Sequence, residues 1–329
     1  MGQGQRDWTP LHAAVHRVLR FRTLLSSGQS VLVAVSGGQD SLCLIKLLLD
    51  LQPKWFWSLG VVHCDHGWRP DSSANAAHVN QLAKGWEIPF YLKTADQLLP
   101  REAAAREWRY AAFLEVAREM GYSVVVTGHT ASDRAETLLY NLVRGSGTDG
   151  LQALTWQRPL GPGVQVVRPL LEVTRQETAE FCQNYRLPVW EDSTNLDVQY
   201  VRNRLRQLVF PHLRQLNPQV EQALAQTAEV LQAEVEYLET LAEQIRREAS
   251  HPSQSALNRS LLQNHSLAIQ RRVVRQFLKQ ELATHPTFNH IEKFVALMAA
   301  PNHSQTDPFP GGKIAQVEED WITLQGPPF

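Results

Sequence analysis

The sequence predicts an α/β fold, a parallel sheet with helices on both faces, followed by a smaller all-helical domain. Over the first two thirds of its 329 residues, short apolar runs of strand length alternate with segments of helical periodicity. This alternation is typical of βα units in a parallel sheet. After about Leu216 the strand-like runs stop, and apolar residues recur at helical spacing. We therefore predict two domains, residues 1–216 and 217–329.

The elements of the first domain follow from these runs. The run Val31–Val35 is continuously apolar, as expected of a strand that is buried on both faces. Gly85 and Gly121 mark predicted helix ends. The predicted strands are 31–35, 57–63, 89–93, 123–127 and 165–169, and the predicted helices are 11–25, 41–51, 72–85, 102–120, 133–144 and 174–185.

The second domain has apolar residues at helical spacing from Val220 to Ile245. Further helices are predicted at 261–282 and 288–299. The last segment, 313–324, alternates weakly and predicts a short hairpin.

Composition limits the function classes. The chain has 32 basic and 33 acidic residues, so any nucleic-acid surface must be a local patch. The three cysteines lie far apart and form no CxxC, which argues against a zinc ribbon and suits a reducing cytosol. No apolar run approaches membrane-spanning length. We expect a cytoplasmic protein without a membrane partner.

The first candidate site follows the strand 31–35 and reads Ser36-Gly37-Gly38-Gln39-Asp40-Ser41. Glycines with φ > 0 let successive N–H groups converge on one anion, and the following helix N-terminus adds partial positive charge. The serines can add hydroxyl donors, and Asp40 can hold a magnesium ion against phosphates. The alternative is a Gly-Gly turn whose polar residues only cap the helix. The lysine of a Walker A loop is absent.

This hexapeptide resembles the SGGxDS signature of the PP-loop family of ATP pyrophosphatases. Members of that family split ATP into AMP and pyrophosphate while they adenylate a substrate. The resemblance implies an adenine nucleotide alpha hydrolase-like fold, with ATP and Mg²⁺ bound by residues 36–41. It gives Asp40 a catalytic role as the metal ligand.

A second motif follows the strand 57–63 and reads His63-Cys64-Asp65-His66-Gly67-Trp68-Arg69. A plain polar loop is one alternative; a metal site is another, although no third ligand cluster stands nearby at metal spacing. The motif resembles the HxDHGxR of PP-loop enzymes that act on tRNA, which implies that His63 and Asp65 bind the nucleotide.

The predicted helix 102–120 carries Arg106 and Arg109 on one face. The alternative is a solvated ion pair between Glu102 and Arg106. The stretch resembles the ExxARxxRY of the same enzymes. It implies that Arg109 is a catalytic-site residue in contact with ATP phosphates or RNA.

A third motif, Gly128-His129-Thr130-Ala131-Ser132-Asp133-Arg134-Ala135-Glu136-Thr137, follows the strand 123–127. Thr130 and Asp133 have the spacing of a capping box, which explains part of the pattern. The motif resembles the GHxxDDxxET of tRNA(Ile)-lysidine synthases, with Ser132 where that family has its first acid. The resemblance implies a nucleotide-binding His129 and catalytic Asp133 and Glu136.

A fourth stretch joins Arg168-Pro169-Leu170-Leu171, 191–195 and the basic run 202–206. Basic runs of this kind suit RNA phosphates, whereas a solvated helix face is the alternative. The order of these segments resembles that of lysidine synthases and adds Arg202 as a candidate for phosphate or the lysine carboxylate. Thiolases of the same branch rely on paired cysteines, which this chain lacks.

The resemblance implies ATP-dependent ligation of free L-lysine to C2 of the wobble cytidine in the isoleucine tRNA with a CAU anticodon. The second domain would bind that tRNA. Asp133 is the candidate base, its pKa raised by burial beside another acid, and Glu136 would hold the ammonium. A thiolase, an NAD synthetase-like amide former, a nucleotide-binding module and a structural RNA-binding protein are the alternatives. The sequence leaves the oligomeric state, including a homodimer, open.

Overall fold

The computed structural model describes residues 8–67, 70–96, 102–191 and 197–326, so Trp68, Arg69 and the motif residues 192–195 lie outside the described residues. The larger sheet consists of β1 (Ser30–Ala34), β2 (Ser58–Asp65), β3 (Phe90–Thr94), β4 (Val124–Thr127), β5 (Gln157–Gly161) and β6 (Val164–Val167). The strand order is β3-β2-β1-β4-β6-β5, and all neighbours are parallel except β5 and β6. The predicted fold class is confirmed.

Nine helices of the described chain precede residue 217, and a π-helical turn (Leu205–Val209) separates the last two. They are α1 (Pro10–Phe21), α2 (Gln39–Trp55), α3 (Ser72–Gly85), α4 (Glu102–Glu119), α5 (Ala131–Val143), α6 (Thr148–Leu151), α7 (Arg175–Asn184), α8 (Val201–Arg204) and α9 (Phe210–Leu216).

Alternate residues of each central strand are buried in two different cores. In β1, Val31 and Val33 pack into one core while Leu32 packs into the other. Because side chains alternate across a strand, both faces of the sheet must be covered. This explains why the strands read as continuous apolar runs and not as alternating ones.

Strand β5 and helix α6 were not predicted, because neither carries a periodic apolar pattern. Strand β5 contains Pro159 and Gly161 and only one large apolar residue, and its register with β6 is irregular. Proline lacks the N–H group that a central strand needs, so it is confined largely to sheet edges. An antiparallel edge strand of this composition carries no periodic pattern to detect.

The chain divides into two compact units, one ending at Leu231 and the other beginning at Gln232. The division lies within α10 (Val220–Ala249). The second unit continues with β7 (Ala256–Asn258), α11 (Arg259–Gln263), α12 (Leu267–Glu281), α13 (Phe288–Ala296), β8 (Ile314–Glu318) and β9 (Trp321–Gln325).

The predicted C-terminal hairpin is confirmed as β8 and β9, and β7 adds an unpredicted third strand to it. The single helix predicted at 261–282 is wrong, because α11 ends at Gln263 and Ser266 starts α12 from an extended conformation. Among the described residues, no helix is long and apolar enough to cross a membrane.

Candidate functional site

Three turns that carry the unusual residues lie side by side. Strand β1 pairs with β2 on one side and with β4 on the other, both in parallel. The turns that follow these strands therefore meet at one edge of the sheet, where ligands of open parallel sheets bind.

The turn after β1 forms the start of α2. Gly38 is the N-cap residue, without a side chain to occupy the helix end. The hydroxyl of Ser41 donates to the carbonyl of Gly38 at 2.8 Å and accepts the N–H of Ser36 at 3.2 Å. The first N–H groups of a helix lack intrahelical partners, so this turn presents donors to an anion.

Two glycines in this region have no room for a side chain. Gly37 has φ +89°, and a Cβ built on it would lie 2.5 Å from Oδ1 of Asn75. A Cβ on Gly128, in the turn after β4, would lie 2.9 Å from the carbonyl oxygen of Asp40. The second contact is to backbone, which cannot rotate away. The two turns are therefore packed directly against each other.

Gly37→Ala is expected to weaken the binding of a non-hydrolysable ATP analogue about tenfold, because a left-handed φ costs an L-residue roughly 1–2 kcal/mol and the loop must shift. Isothermal titration measures this. Gly85→Ala is the matched control, since its Cβ would meet no atom within 4 Å. Equal affinities for Gly37→Ala and wild type would contradict the assignment of the loop.

The polar side chains of the loop are held by α7. The amide of Gln39 donates to the carbonyl of Arg175 at 2.8 Å and to the hydroxyl of Thr178 at 3.1 Å. The carboxylate of Asp40 accepts from the same hydroxyl. Burial raises the pKa of Asp40, against the lowering effect of Arg175. The side chain of Gln39 is thus used within the protein, and its role in nucleotide binding stays a prediction.

Arg175 lies between three carboxylates, which we call the carboxylate cluster: Asp40, Asp133 and Glu136. Its Nε is 3.1 Å from Asp40, its Nη2 is 2.9 Å from Asp133, and its Nη1 is 3.4 Å from Glu136. The acids belong to different turns, so this single guanidinium connects the turn after β1 with the turn after β4.

A second arginine completes the ion pairs of the cluster. Arg206, on the π-helical turn, reaches the two carboxylate oxygens of Glu136 at 2.8 and 3.1 Å. An arginine–carboxylate pair with two parallel hydrogen bonds is stronger than one with a single hydrogen bond. Three carboxylates and two guanidinium groups leave one net negative charge, which matches one further monovalent cation.

The expected rise in the pKa of Asp133 is wrong. Burial does act to raise it, but the guanidinium of Arg175 and hydrogen bonds from Thr130 outweigh burial and hold the pKa of Asp133 well below its usual range. Its Oδ2 accepts both the N–H and the hydroxyl of Thr130 at 2.8 Å. Asp133 therefore caps α5 and also pairs with Arg175, as an ionised group.

The predicted nucleotide-binding residues His63, Asp65 and His129 all make hydrogen bonds within the protein. Nδ1 of His63 lies 2.8 Å from the carbonyl of Val35, so that nitrogen must donate. Asp65 accepts the N–H of Gly67 at 2.8 Å and fixes the turn. Nδ1 of His129 lies 2.8 Å from the hydroxyl of Thr127. These contacts orient the turns around the loop after β1.

The charges of the predicted arginines act on one another and on His129. Burial lowers the pKa of Arg109, and the nearby charges of Arg106 and Arg202 add to that effect. Burial also lowers the pKa of His129, with further lowering by Arg168 and Arg109. Positive charge thus collects beside the turns after β2 and β4, close to Asp133 of the carboxylate cluster.

Acid is expected to destabilise the protein through His66. Burial lowers its pKa to about 4, from 6.5 in the unfolded chain. Between pH 6.5 and about 4, the imidazole is protonated in the unfolded chain but neutral in the folded protein. As the pH is lowered through this range, the free energy of unfolding therefore decreases by up to about 1.4 kcal/mol per pH unit. Urea unfolding at pH 7.5 and 5.0 should show that the free energy of unfolding decreases less between these pH values for His66→Asn than for wild type. His285 is exposed, so His285→Asn is the control and should behave as wild type. Equal losses of stability in wild type, His66→Asn and His285→Asn would contradict the role of His66.

A magnesium ion was predicted at Asp40. Carboxylate oxygens are suitable ligands, but those of Asp40 already accept from Thr178, Gln39 and Arg175. Across the described ranges, no three His, Cys, Asp or Glu side chains form a metal site. The donors fit an ion that takes one carboxylate from the protein and its other ligands from phosphates and water, as magnesium commonly does.

Sequence reasoning missed Arg175 and read Arg206 as part of an RNA-binding run. One signal was available for Arg175. It stands at the first position of α7, where a cation opposes the helix dipole, so a nearby acid was to be expected. No local pattern pointed from Arg206 to Glu136, which lies 70 positions earlier.

Comparisons with known proteins agree with this geometry. A family profile described as "PP-loop domain" matches residues 11–213, and one described as "TilS substrate binding domain" matches residues 257–318. The chain is 60% identical to the tRNA(Ile)-lysidine synthase of Nostoc sp. strain PCC 7120, over 97% of each chain. It is 49% identical to that of Synechocystis sp. strain PCC 6803, over 96% of this chain and 97% of that one.

The fold is also similar to that of the U34-tRNA thiolase NcsA from Methanococcus maripaludis, solved with its 4Fe–4S cluster. The TM-score is 0.57 at 15% identity, over 68% of this chain and 78% of that chain. At that identity the likeness concerns the fold alone. The family profiles and the near full-length relatives, taken with the loop and the turns described above, establish that this chain belongs to the tRNA(Ile)-lysidine synthase family.

Proposed function

We propose that the protein ligates free L-lysine to C2 of the wobble cytidine, position 34, of the isoleucine tRNA with a CAU anticodon. One observation carries the proposal: Arg175 joins Asp40 of the anion-binding loop to Asp133 and Glu136. A loop for the phosphates of ATP therefore adjoins an acidic group suited to an amine. Family membership supports the same reaction.

In the first step, the C2 oxygen of cytidine attacks the α-phosphate of ATP, the bond to the β-phosphate breaks, and pyrophosphate leaves. The loop from Ser36 to Ser41 would bind the leaving charge through the N–H groups at the start of α2. Magnesium, when bound at Asp40, would neutralise phosphate charge. Arg109 and Arg202 would bind the remaining phosphate or the lysine carboxylate.

In the second step, the ε-nitrogen of lysine attacks C2, the C2–O bond breaks, and AMP leaves. The ammonium, with a reference pKa of about 10.4, must first lose a proton. Asp133 and Glu136 would hold the ammonium through their carboxylate oxygens, which accept its N–H groups. Asp133 remains the candidate acceptor of the proton, although its depressed pKa makes it a weak base. Because the fraction of lysine with a neutral ε-amine increases with pH, we expect the rate of transfer to rise with pH.

The thiolase alternative has no support from the cysteines. Burial raises the pKa of the Cys64 thiol to about 12 and that of Cys182 to about 12. Thiols held neutral in this way are poor nucleophiles and poor metal ligands. The tRNA would be bound in part by the second domain, residues 217–329, whose segment 257–318 matches the substrate-binding profile.

Incubation with ATP, magnesium, labelled lysine and a transcript of the CAU-anticodon isoleucine tRNA tests the proposal. We expect label in that tRNA, with stoichiometric AMP and pyrophosphate, and none in a methionine tRNA with the same anticodon letters. Absence of label at every magnesium and ATP concentration would overturn the lysidine assignment. Transfer of label to both tRNAs would overturn the proposed specificity.

A further inference from the structure

Ser132 occupies the position at which the resembling motif has an acid, and its hydroxyl makes two directed hydrogen bonds. It accepts the backbone N–H of Arg175 at 3.0 Å and donates to the carboxylate of Glu221 at 2.8 Å. The first N–H of a helix has no partner within the helix. Ser132 thus supplies the missing partner for the first residue of α7.

Glu221 lies in the first turn of α10, 89 positions after Ser132. Its other carboxylate oxygen pairs with Arg214 on α9. The side chain of Glu221 is 15% exposed, so its charge is poorly solvated and depends on these two partners. A carboxylate held in this way at a helix N-terminus is a fixed acceptor.

We propose that Glu221 is a positioning residue for lysine transfer, acting through the Ser132 hydroxyl on the first turn of α7 and hence on Arg175. This inference rests on the proposed function. The chain of contacts is continuous: Glu221 orients the Ser132 hydroxyl, that hydroxyl holds the N–H of Arg175, and the Arg175 guanidinium spans the carboxylate cluster. A shift at Glu221 therefore changes how the three acids are held.

The chemistry of position 132 follows from this arrangement. A hydroxyl accepts from an amide and donates to a carboxylate through one and the same atom, whereas a carboxylate can only accept. An aspartate at 132 would accept the Arg175 N–H but would oppose the carboxylate of Glu221 at hydrogen-bond distance. Changing Glu221 to glutamine as well would restore a donor, with the direction of the hydrogen bond reversed.

The test is a double-mutant cycle on lysine incorporation with Ser132→Asp, Glu221→Gln and the double variant. For Ser132→Asp we expect kcat/KM for lysine to fall about tenfold, within the range typical of directly coupled pairs. KM for ATP should change less than KM for lysine. The double variant should recover to within about threefold of wild type. Glu234→Gln, an exposed acid on the same helix, should match wild type.

A double variant whose loss is the product of the two single losses would overturn the proposal, as would equal effects on lysine and ATP. Should Ser132→Asp not fold, Ser132→Ala serves instead. Glu221→Gln must then reduce kcat/KM for lysine in the wild-type background and have no effect in the Ser132→Ala background. An inactive wild-type enzyme would overturn the proposed function itself, whereas an active wild type without this coupling would overturn only the role of Glu221.

Discussion

Asp133→Asn is expected to reduce lysine transfer by about a hundredfold or more while leaving ATP binding intact. The substitution removes the negative charge that faces Arg175 at 2.9 Å and that we propose to hold the substrate ammonium. The amide oxygen can still accept the N–H of Thr130, so the start of α5 keeps its cap. Label incorporation and titration with a non-hydrolysable ATP analogue measure the two effects separately.

A neutral amide is a weaker acceptor than a carboxylate, so the cap of α5 is weakened although it is kept. The control for this weakening is Thr9→Ala, which removes the side-chain cap of α1. Such a change costs about 1 kcal/mol of stability and touches no carboxylate. It should lower the melting temperature without changing transfer. Wild-type transfer by Asp133→Asn would remove Asp133 from the proposed mechanism.

Arg175→Gln should be the most destabilising change at this site, with a loss of about 2–3 kcal/mol in the free energy of unfolding at pH 7.5. Removing one partner of a buried ion pair leaves the other charges uncompensated, and the 28% exposure of Arg175 reduces that cost. Transfer should also be lost, because the three acids would repel one another. Urea unfolding gives the stability, and label incorporation gives the activity.

The stability loss has a defined pH dependence. Burial acts to raise the pKa of Asp40 and of Asp133, whereas Arg175 acts to lower it. Without Arg175, burial raises the pKa of both carboxyls above their unfolded values. Such groups favour the folded state once they are protonated, so the difference from wild type should shrink as the pH falls from 7.5 to 5.5. Arg247→Ala, which breaks an exposed ion pair with Glu243, should leave stability unchanged at both pH values. A difference that stays constant with pH would mean that Arg175 acts through packing alone.

Much of the fold was predictable because each signal was local. The continuous apolar run at Val31–Val35 indicated a strand that is covered on both faces, and the glycines after it indicated a cradle for an anion. Alternation of strands and helices then placed Asp40, Asp133 and Glu136 at one edge of the sheet. Strand β5 escaped detection because Pro159 and Gly161 break any periodic pattern.

The electrostatics of the site were not predictable in the same way. The sequence shows that Asp133 has an acidic neighbour at Glu136, which suggested a raised pKa. It does not show that Arg175, 42 positions after Asp133, forms ion pairs with both acids. Likewise, Ser132 stands where the resembling motif has an acid, which suggested that the site lacks a carboxylate at this position. The carboxylate of Glu221 on α10 lies within hydrogen-bond distance of the Ser132 hydroxyl instead. Contacts between residues far apart in sequence depend on tertiary packing, which local patterns do not encode.

The bridging position of Arg175 has a consequence for the order of events in a catalytic cycle. Its guanidinium is shared between Asp40 and the pair Asp133 and Glu136. Magnesium bound at Asp40 together with ATP would compete with Arg175 for that carboxylate and would change how strongly Arg175 holds the other two acids. Binding free energies linked in this way are reciprocal. Whatever factor ATP imposes on the dissociation constant of lysine, lysine must impose the same factor on that of ATP. The two substrates would therefore not bind independently.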